Sequence, residues 1–509
     1  MSSWTSGYVA DVGYTHGFYR ELTPALLCLI ALAKGVRGAS ASAPLAYCEL
    51  GCGQGFSANL IAAANPQAQV FATDFNPSHI LNARALAAET GASNVQFFDQ
   101  SFKDFAEEPS LPQFDIIALH GIYSWITPEH RADIVEFLRR KLKPGGLVYI
   151  SYNALPGWAA GMPLRQLFAE HADTTSGPIL PRVDAALEFV EKLKATQPAF
   201  FRANASVGAR LDGIMKHDRR YLAHEYFNAE WNPFYYSEVA RDLERAKLGF
   251  LGSANLLDDI SEVNLTPEQG ALLESIADPA LRETVRDYIV NQQFRRDVFI
   301  KGHVEMTSWE VQHRWQDTRF ALNAKRSEVP LKVNGARGEA TLHGEVYNPI
   351  LDGLADGPKT LGEIMADKRL AGRSVLQVAR TVCVLVGAGR VEPGLDESGD
   401  EARSASTRQF NTAIMRRARF STELSQLASP VTGGGVVVPR FSQLFLLADQ
   451  EGEKDPAQYV WGILSSQGHR LIKDGKIIED AKGNLAELKS LHDTFTQQQL
   501  PVLQQLKVA

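Results

Sequence analysis

Cysteine is scarce in this chain. The four residues Cys28, Cys48, Cys52 and Cys383 among 509 are too few and too scattered for a disulfide framework. Cys48 and Cys52 flank a strand end with no further cysteine or histidine nearby, so they read as small buried hydrophobes and no metal site is expected. A basic surplus is missing too. The formal net charge is -7 and the sequence pI about 6.0, which argues against nucleic acid as a partner, because affinity there comes largely from phosphate neutralisation. No apolar run approaches the roughly 20 residues that span a bilayer; Leu26 to Ala33 falls far short, and no membrane insertion is expected. With no basic-then-apolar leader at its start and few cysteines, the chain reads as a protein of a reducing, cytoplasmic setting. Its length allows two to four domains, and no internal repeat divides it.

What the chain does have is glycine at one place. Ala46-Tyr47-Cys48-Glu49-Leu50 is a short apolar run carrying one acid, and it breaks into Gly51-Cys52-Gly53-Gln54-Gly55. Alternate glycines let the main chain bend where other residues cannot, and let a ligand lie directly on it. Phe56 to Asn65 then reads as a helix stopped by Pro66. This is a strand, loop and helix of the nucleotide-binding kind. A dinucleotide loop has the form G-x-G-x-x-G and seats a pyrophosphate at the helix start, but here the third glycine position is Phe56. Glu49, two residues before the first glycine, would repel a pyrophosphate. It suits a ligand bearing an ammonium and a sulfonium, which is S-adenosylmethionine.

The following segments agree with that choice. Gln69 to Thr73 reads as a second strand delivering Asp74, whose carboxylate can accept both hydroxyls of a ribose. Phe75 is placed to lie on an adenine face, and Asn76-Pro77 opens a helix that runs to about Glu89 and stops near Gly91. Asn94 to Phe98 gives a third strand ending in Asp99, with Gln100, Ser101 and Phe102 behind it. Phe114 to Leu119 is a fourth, nearly continuous apolar strand, as a parallel sheet buried on both faces requires. Leu142 to Ile150 supplies a turn and a fifth strand.

The pattern Glu-x-Gly-x-Gly-x-Gly and the order of these five elements resemble class I methyltransferases. The resemblance implies an α/β, Rossmann-like fold with a mostly parallel seven-stranded sheet and helices on both faces. It implies S-adenosyl-L-methionine as cofactor, with the adenine amino group received by an acidic or small polar residue after the third strand. The expected cofactor-binding set is Glu49 at the amino-acid end, Gly51, Cys52 and Gly53 through their backbone, Gly55, Asp74, Phe75, Asn76, Asp99, Gln100, Ser101, Phe102 and His120.

His120-Gly121-Ile122-Tyr123-Ser124-Trp125-Ile126 follows the fourth strand, where class I enzymes present the acceptor. It lacks the Asn/Asp-Pro-Pro-aromatic run of adenine and glutamine amino-methyltransferases. No cysteine follows a proline, as cytosine-C5 enzymes require. Tyr123 and Trp125 suit an amine, which aromatic rings desolvate and whose cation they stabilise; packing against the helix beginning at Thr127-Pro128 is the competing reading of Trp125. His120 is either a proton relay or a backbone contact to the cofactor. Residues 1–20 gather Trp4, Tyr8, Tyr14, Phe18 and Tyr19 around Gly7, Gly13 and Gly17, either as a lid that excludes water or as a docked segment. Tyr14, His120, Tyr123 and Trp125 are the candidate groups at the reacting end.

A narrower resemblance appears further along. Tyr221-Leu222-Ala223-His224-Glu225-Tyr226-Phe227-Asn228 and Trp231-Asn232-Pro233-Phe234-Tyr235-Tyr236 are similar to the methyltransferase regulatory domain of bacterial proteins such as the rickettsial protein lysine methyltransferases. Gly13-Tyr14-Thr15, Gly17-Phe18-Tyr19 and Ser151-Tyr152-Asn153 with Pro156-Gly157-Trp158 resemble that group as well. The resemblance implies methylation of protein lysines in some members. Ser237 to Lys247 with Leu248 to Ala254, and Arg296 to Gly302, are the expected sixth and seventh strands with the helix before them.

Past Trp309 the order helix, helix, helix, strand through Val391 resembles a winged helix. With only Arg380 and the flanking Arg373 as cations, packing or a homodimer contact competes there with DNA binding. Pro393 to Ser406 reads as a polar linker. The expected units are 1–45, a cofactor core 46–157, a helical insertion 158–222, a regulatory-like region 223–305 completing the sheet, a winged-helix-like unit 306–405, and an α-rich C-terminal unit 406–509. The function expected is N-methylation of a protein lysine. A metabolite methyltransferase of the same fold and a non-catalytic cofactor-binding scaffold are the alternatives.

Overall fold

Seven apolar strands, punctuated by glycine and proline turns, form the centre of the computed structural model, which describes residues 16–509. They are β1 (Leu45–Leu50), β2 (Ala68–Asp74), β3 (Val95–Asp99), β4 (Phe114–Leu119), β5 (Leu142–Asn153), β6 (Leu248–Ser253) and β7 (Phe294–Lys301), in the order 3-2-1-4-5-7-6. The first five pair in parallel, and β7 runs antiparallel between β5 and β6. This is the Rossmann-like methyltransferase sheet that the sequence predicts, with both late strands where they are expected.

Alternation along β1 sends side chains into two separate cores. Tyr47 packs with α1 (Pro24–Ala33), α2 (Phe56–Ala64) and α3 (Pro77–Thr90) through Leu26, Ile61 and Ala83. Cys48 and Leu50 pack on the other face with α4 (Phe102–Glu107) and α5 (Pro128–Lys141) through Phe105, Phe137 and Leu138. Both neighbours of β1, β2 on one side and β4 on the other, are parallel to it. The strand order reverses at this point, and a crevice opens beyond the carboxyl ends of the strands, where ligands of open α/β sheets bind.

Residues 162–226 form five helices, α6 (Met162–Asp173), α7 (Ile179–Ala195), α8 (Ala199–Ala203), α9 (Ala205–Ile214) and α10 (Arg219–Tyr226). They close around a core of their own that includes Trp158, Phe168, Leu187, Leu211 and Leu222. The helix α10 runs across the expected boundary at 222, so the insertion and the region after it are joined by one rigid element.

The C-terminal part covers the sheet from the α2 side. The strands Lys359–Thr360, Arg319–Leu322 and Val391–Gly394 form a small antiparallel sheet beside the helices Gly344–Gly353, Leu361–Met365 and Val375–Gly387, the expected order. Arg380, the cation expected on the third helix, is engaged by Glu262 at 2.6 Å.

The expected linker 393–406 is not one. Pro393 lies in the strand Val391–Gly394, and an 18-residue helix, Asp400–Arg417, begins six residues after the strand ends. Its polar start reflects buried ion pairing rather than solvent. Asp400 accepts from Arg319 Nη1 at 3.0 Å, Arg403 Nη2 at 2.7 Å and Lys507 Nζ at 2.9 Å. Phe410 and Ile414 of the same helix pack on Phe56 and Leu60. All nine residues of α2 are therefore buried, between the sheet and this unit. Its uniform run of apolar and small residues follows from that double burial. No helix of the described residues is long and apolar enough to cross a membrane.

Candidate functional site

The turn after β1 is shaped by glycine. Gly55, at φ +69°, caps α2, and a Cβ there would lie 2.3 Å from the Ala83 Cβ, so helix and turn approach α3 only without a side chain. Gly53, at φ +52°, has no described residue within 4 Å of the position a Cβ would take. Its N–H donates to Asp74 Oδ2 at 2.9 Å.

Asp74 ends β2 facing the same crevice and is held by two further groups. Its Oδ1 accepts the Asn76 N–H at 2.9 Å and lies 3.2 Å from His79 Nδ1. Glu49, at the end of β1, is 5 % exposed, and its Oε2 has no hydrogen-bond partner among the described residues. Burial pushes its carboxyl up to about 8, and the nearby Asp74 carboxylate adds to the shift.

A single cavity brings these groups together with residues from other parts of the chain. Of the residues that the sequence offers for the cofactor and the acceptor, Glu49, Gly51, Cys52, Gly53, Asp74, Phe75, Gln100, Ser101, Phe102, His120 and Trp125 line it. Other expected residues do not. Gly55 lies behind the loop, serving the packing of α2 on α3. Asn76 is buried as the cap of α3, its side chain accepting from the Ser78 N–H at 2.9 Å. Asp99 is exposed at the tip of β3 and does not line the cavity. The next residue faces inward instead: Gln100 Nε2 donates to Glu108 Oε2 at 3.2 Å, which leaves its Oε1 buried with no partner among the described residues.

Tyr123 requires a correction as well. Residues Tyr123–Trp125 form a 3₁₀ turn, in which positions three apart eclipse. Ile122 and Trp125 consequently share the cavity side, while Tyr123 is fully buried and donates its hydroxyl to Asp242 Oδ2 at 2.9 Å. Tyr14 lies outside the described residues.

His120 is stacked on Tyr19, ring centroids 3.7 Å apart, and its Nδ1 is 2.8 Å from the Tyr149 hydroxyl. Burial holds its pKa down to about 4, so it is neutral at physiological pH. Gly17 and Tyr19 line the cavity from the N-terminal segment, which Arg20 fastens through Glu392 at 2.7 Å and Glu21 through Arg296 at 2.9 Å.

The far wall comes from α10 and the residue pair after it: His224, Glu225 and Asn228. The sequence marks these three only as part of a motif without a chemical role, because nothing local says that the insertion folds back over the sheet. Burial pushes the Glu225 carboxyl up to about 7. The described lining contains no lysine or arginine, and neither does residues 1–15 of the sequence. Groups of three or more His, Cys, Asp or Glu placed to hold a metal ion do not occur among the described residues.

Comparison with known proteins decides the family. Residues 48–148 match the model of a methyltransferase domain, and residues 218–301 that of a predicted methyltransferase regulatory domain. An uncharacterized protein of Synechocystis sp. is 44% identical over 507 residues, covering 100% of both chains. The chain belongs to that protein's family and is a class I S-adenosylmethionine-dependent methyltransferase.

The methyltransferase also shares its fold, over 97% of its length and 99% of the other chain, with PKMT2 from Rickettsia typhi in complex with AdoHcy, at 18% identity and a TM-score of 0.71. An uncharacterized protein of Rickettsia prowazekii is 28% identical over 250 residues, 48% of this methyltransferase and 44% of that protein.

Proposed function

We propose that the protein N-methylates lysine side chains of proteins, with S-adenosylmethionine seated in the crevice beyond β1 and β4. The observation that carries this reading is the charge inventory of the cavity. Besides Glu49 and Asp74, which serve the cofactor, it carries one further acid, Glu225; Trp125 adds an aromatic wall, and no guanidinium or ammonium faces them among the described residues. Such a lining favours a cationic amine, whereas a carboxylate or phosphate acceptor would meet no cation. The resemblance to rickettsial protein lysine methyltransferases supports a protein as the amine's bearer over a metabolite.

The features of the crevice fit the cofactor. Glu49 Oε2, without a partner among the described residues, is an acceptor for the ammonium of its amino-acid end. Asp74, pre-set by the Gly53 and Asn76 N–H groups, is placed to accept ribose hydroxyls. The buried Gln100 Oε1, without a partner among the described residues, accepts the adenine amino group in the place expected of an acidic or small polar residue after the third strand, with Phe75 and Phe102 beside the ring. Open space at Gly53 lets a ligand lie on the backbone.

The cofactor supplies an activated methyl on a sulfonium. The protein's own contribution is alignment: holding the acceptor nitrogen in line is worth several kcal/mol without any covalent participation by the chain. Neutral His120, fixed between Tyr19 and Tyr149, acts as a wall of the reacting region and does not add a repelling cation. A lysine ammonium, with a reference pKa of about 10.4, must give up a proton before it attacks; burial and a neighbouring positive charge both make that easier. Four free cysteines accord with a cytoplasmic site of action.

Incubating the protein with cell lysate and tritiated-methyl cofactor, then separating macromolecules from small molecules, tests the reading. Label in protein is expected. Label confined to small molecules would favour a metabolite acceptor, and no label would favour a scaffold.

A further inference from the structure

The cavity has two acidic stations with different partners. Glu49 and Asp74 line it from the ends of β1 and β2, whereas Glu225 lines it from α10 of the insertion. The electrostatic reach of Glu225 is to Tyr221 and Tyr226 of its own helix, and Tyr221 in turn feels Tyr19. Glu225 thus belongs to the insertion's side of the cavity, with Tyr221 and Tyr226 as its electrostatic neighbours.

The placement is fixed by packing. Leu222, Ala223 and Tyr226 anchor α10 in the insertion's own core, and this leaves Glu225 on the side of the helix that lines the cavity. There it is half-buried and makes no hydrogen bond or ion pair with any described residue. A carboxyl in that situation is costly unless a ligand supplies what the protein does not. Trp125 and Ile126 line the same cavity from the β4–α5 connection and His130 from α5, giving an apolar and aromatic wall of the kind that holds an alkyl chain with a cationic end.

We propose that Glu225 receives the acceptor's amine: its carboxylate accepts an N–H of the incoming alkylammonium and takes one proton from it, so that the nitrogen is presented with a free lone pair. In that transfer an N–H bond breaks, an O–H bond forms on a Glu225 oxygen, and the nitrogen keeps the electron pair. The proton then passes to solvent at the cavity mouth. This assignment rests on the amine-methylating reading above and adds to it the residue that selects the amine. The titratable groups beside Glu225 on its own helix are Tyr221, His224 and Tyr226, and Tyr19 and His130 line the same cavity. None is a lysine or arginine that would already satisfy the carboxylate.

The test uses the full chain saturated with S-adenosylhomocysteine and titrated with n-butylammonium, a mimic of the lysine side chain, followed by nuclear magnetic resonance. Wild type, Glu225→Gln and Glu225→Asp are compared, with S-adenosylhomocysteine affinity measured by calorimetry in each. The expected result is that Glu225→Gln weakens butylammonium about tenfold or more, the size of a hydrogen bond between charged groups. Glu225→Asp should restore part of it, and all three proteins should bind S-adenosylhomocysteine equally. Equal butylammonium affinity in Glu225→Gln, or none in wild type, would overturn the assignment. If wild type fails to bind S-adenosylhomocysteine, the reading of the crevice falls and the assignment with it. Butylammonium binding that depends on Glu225, in a protein that labels only metabolites, would leave Glu225 as the amine's receiver and remove the protein acceptor.

Discussion

The backbone N–H of Gly53 donates to the carboxylate of Asp74 at 2.9 Å, tying the turn after β1 to the end of β2. The Asn76 N–H holds the other oxygen at 2.9 Å. Replacing Asp74 by Asn keeps the shape but puts an NH₂ where one of these donors points. The expected outcome for Asp74→Asn is a loss of about 1–3 kcal/mol in stability, seen as a lower melting temperature, together with a weaker calorimetric affinity for S-adenosylhomocysteine. An unchanged affinity would remove Asp74 from the ribose role.

Glu49 makes a prediction with a definite sign. Its folded carboxyl is raised from 4.5 to about 8, so between those values the folded chain retains a proton that the unfolded chain has released. The resulting penalty on stability is absent below the lower value, grows as pH rises through the interval, and is complete above the upper one. Glu49→Gln should therefore raise the melting temperature of the ligand-free protein more at alkaline than at acid pH. Cofactor binding has the opposite preference, since the ammonium requires the ionised carboxylate. Wild-type affinity for S-adenosylhomocysteine should climb as pH approaches about 8 and be weaker and flat over that range in Glu49→Gln. Calorimetry across pH checks both.

Two glycines of one turn should fail in different ways. Gly55→Ala drives a methyl into Ala83 at a left-handed position and is expected to cost roughly 3 kcal/mol of stability. Gly53→Ala meets no described residue within 4 Å and should cost only about 1 kcal/mol, for its backbone conformation. Its effect should appear instead in S-adenosylhomocysteine affinity, because the added methyl points into the space the ligand is to occupy. Thermal melts paired with calorimetry separate the two.

Tyr123, an acceptor-site candidate from the sequence, should behave as a core residue. Tyr123→Phe leaves Asp242 without its 2.9 Å donor, which is expected to lower stability by about 1 kcal/mol, while methyl transfer to lysate protein stays close to wild type. Trp125→Ala, on the cavity side of the same turn, should lower transfer far more than stability. The ratio of activity to melting temperature in the two variants is the readout.

The sheet and half of the site were legible because their signals are local. Apolar strands, the Gly51–Gly55 turn and the Asn76-Pro77 cap each announce themselves within a few residues, and their order alone carries the topology. Where the sequence misled, a three-dimensional fact intervened. Asp99 and Gln100 are neighbours, and only the path of the chain leaving β3 decides which faces inward. Tyr123 and Trp125 read alike as acceptor-site aromatics, and only the 3₁₀ turn puts the first in the core and the second on the cavity. The polar start of the helix Asp400–Arg417 looked like a linker because its partners, Arg319 and Lys507, are distant in sequence. Glu225 reaches the cavity only because the insertion folds back across the sheet.

The central claim is that this acidic crevice methylates an amine of a protein side chain. The chemical nature of the labelled bond tests it most directly. Lysate protein labelled with tritiated methyl is hydrolysed in strong acid and its amino acids are separated. The account predicts that the label survives hydrolysis and runs with methylated lysine. Label released by mild base as methanol, the mark of a carboxylate ester, would contradict it.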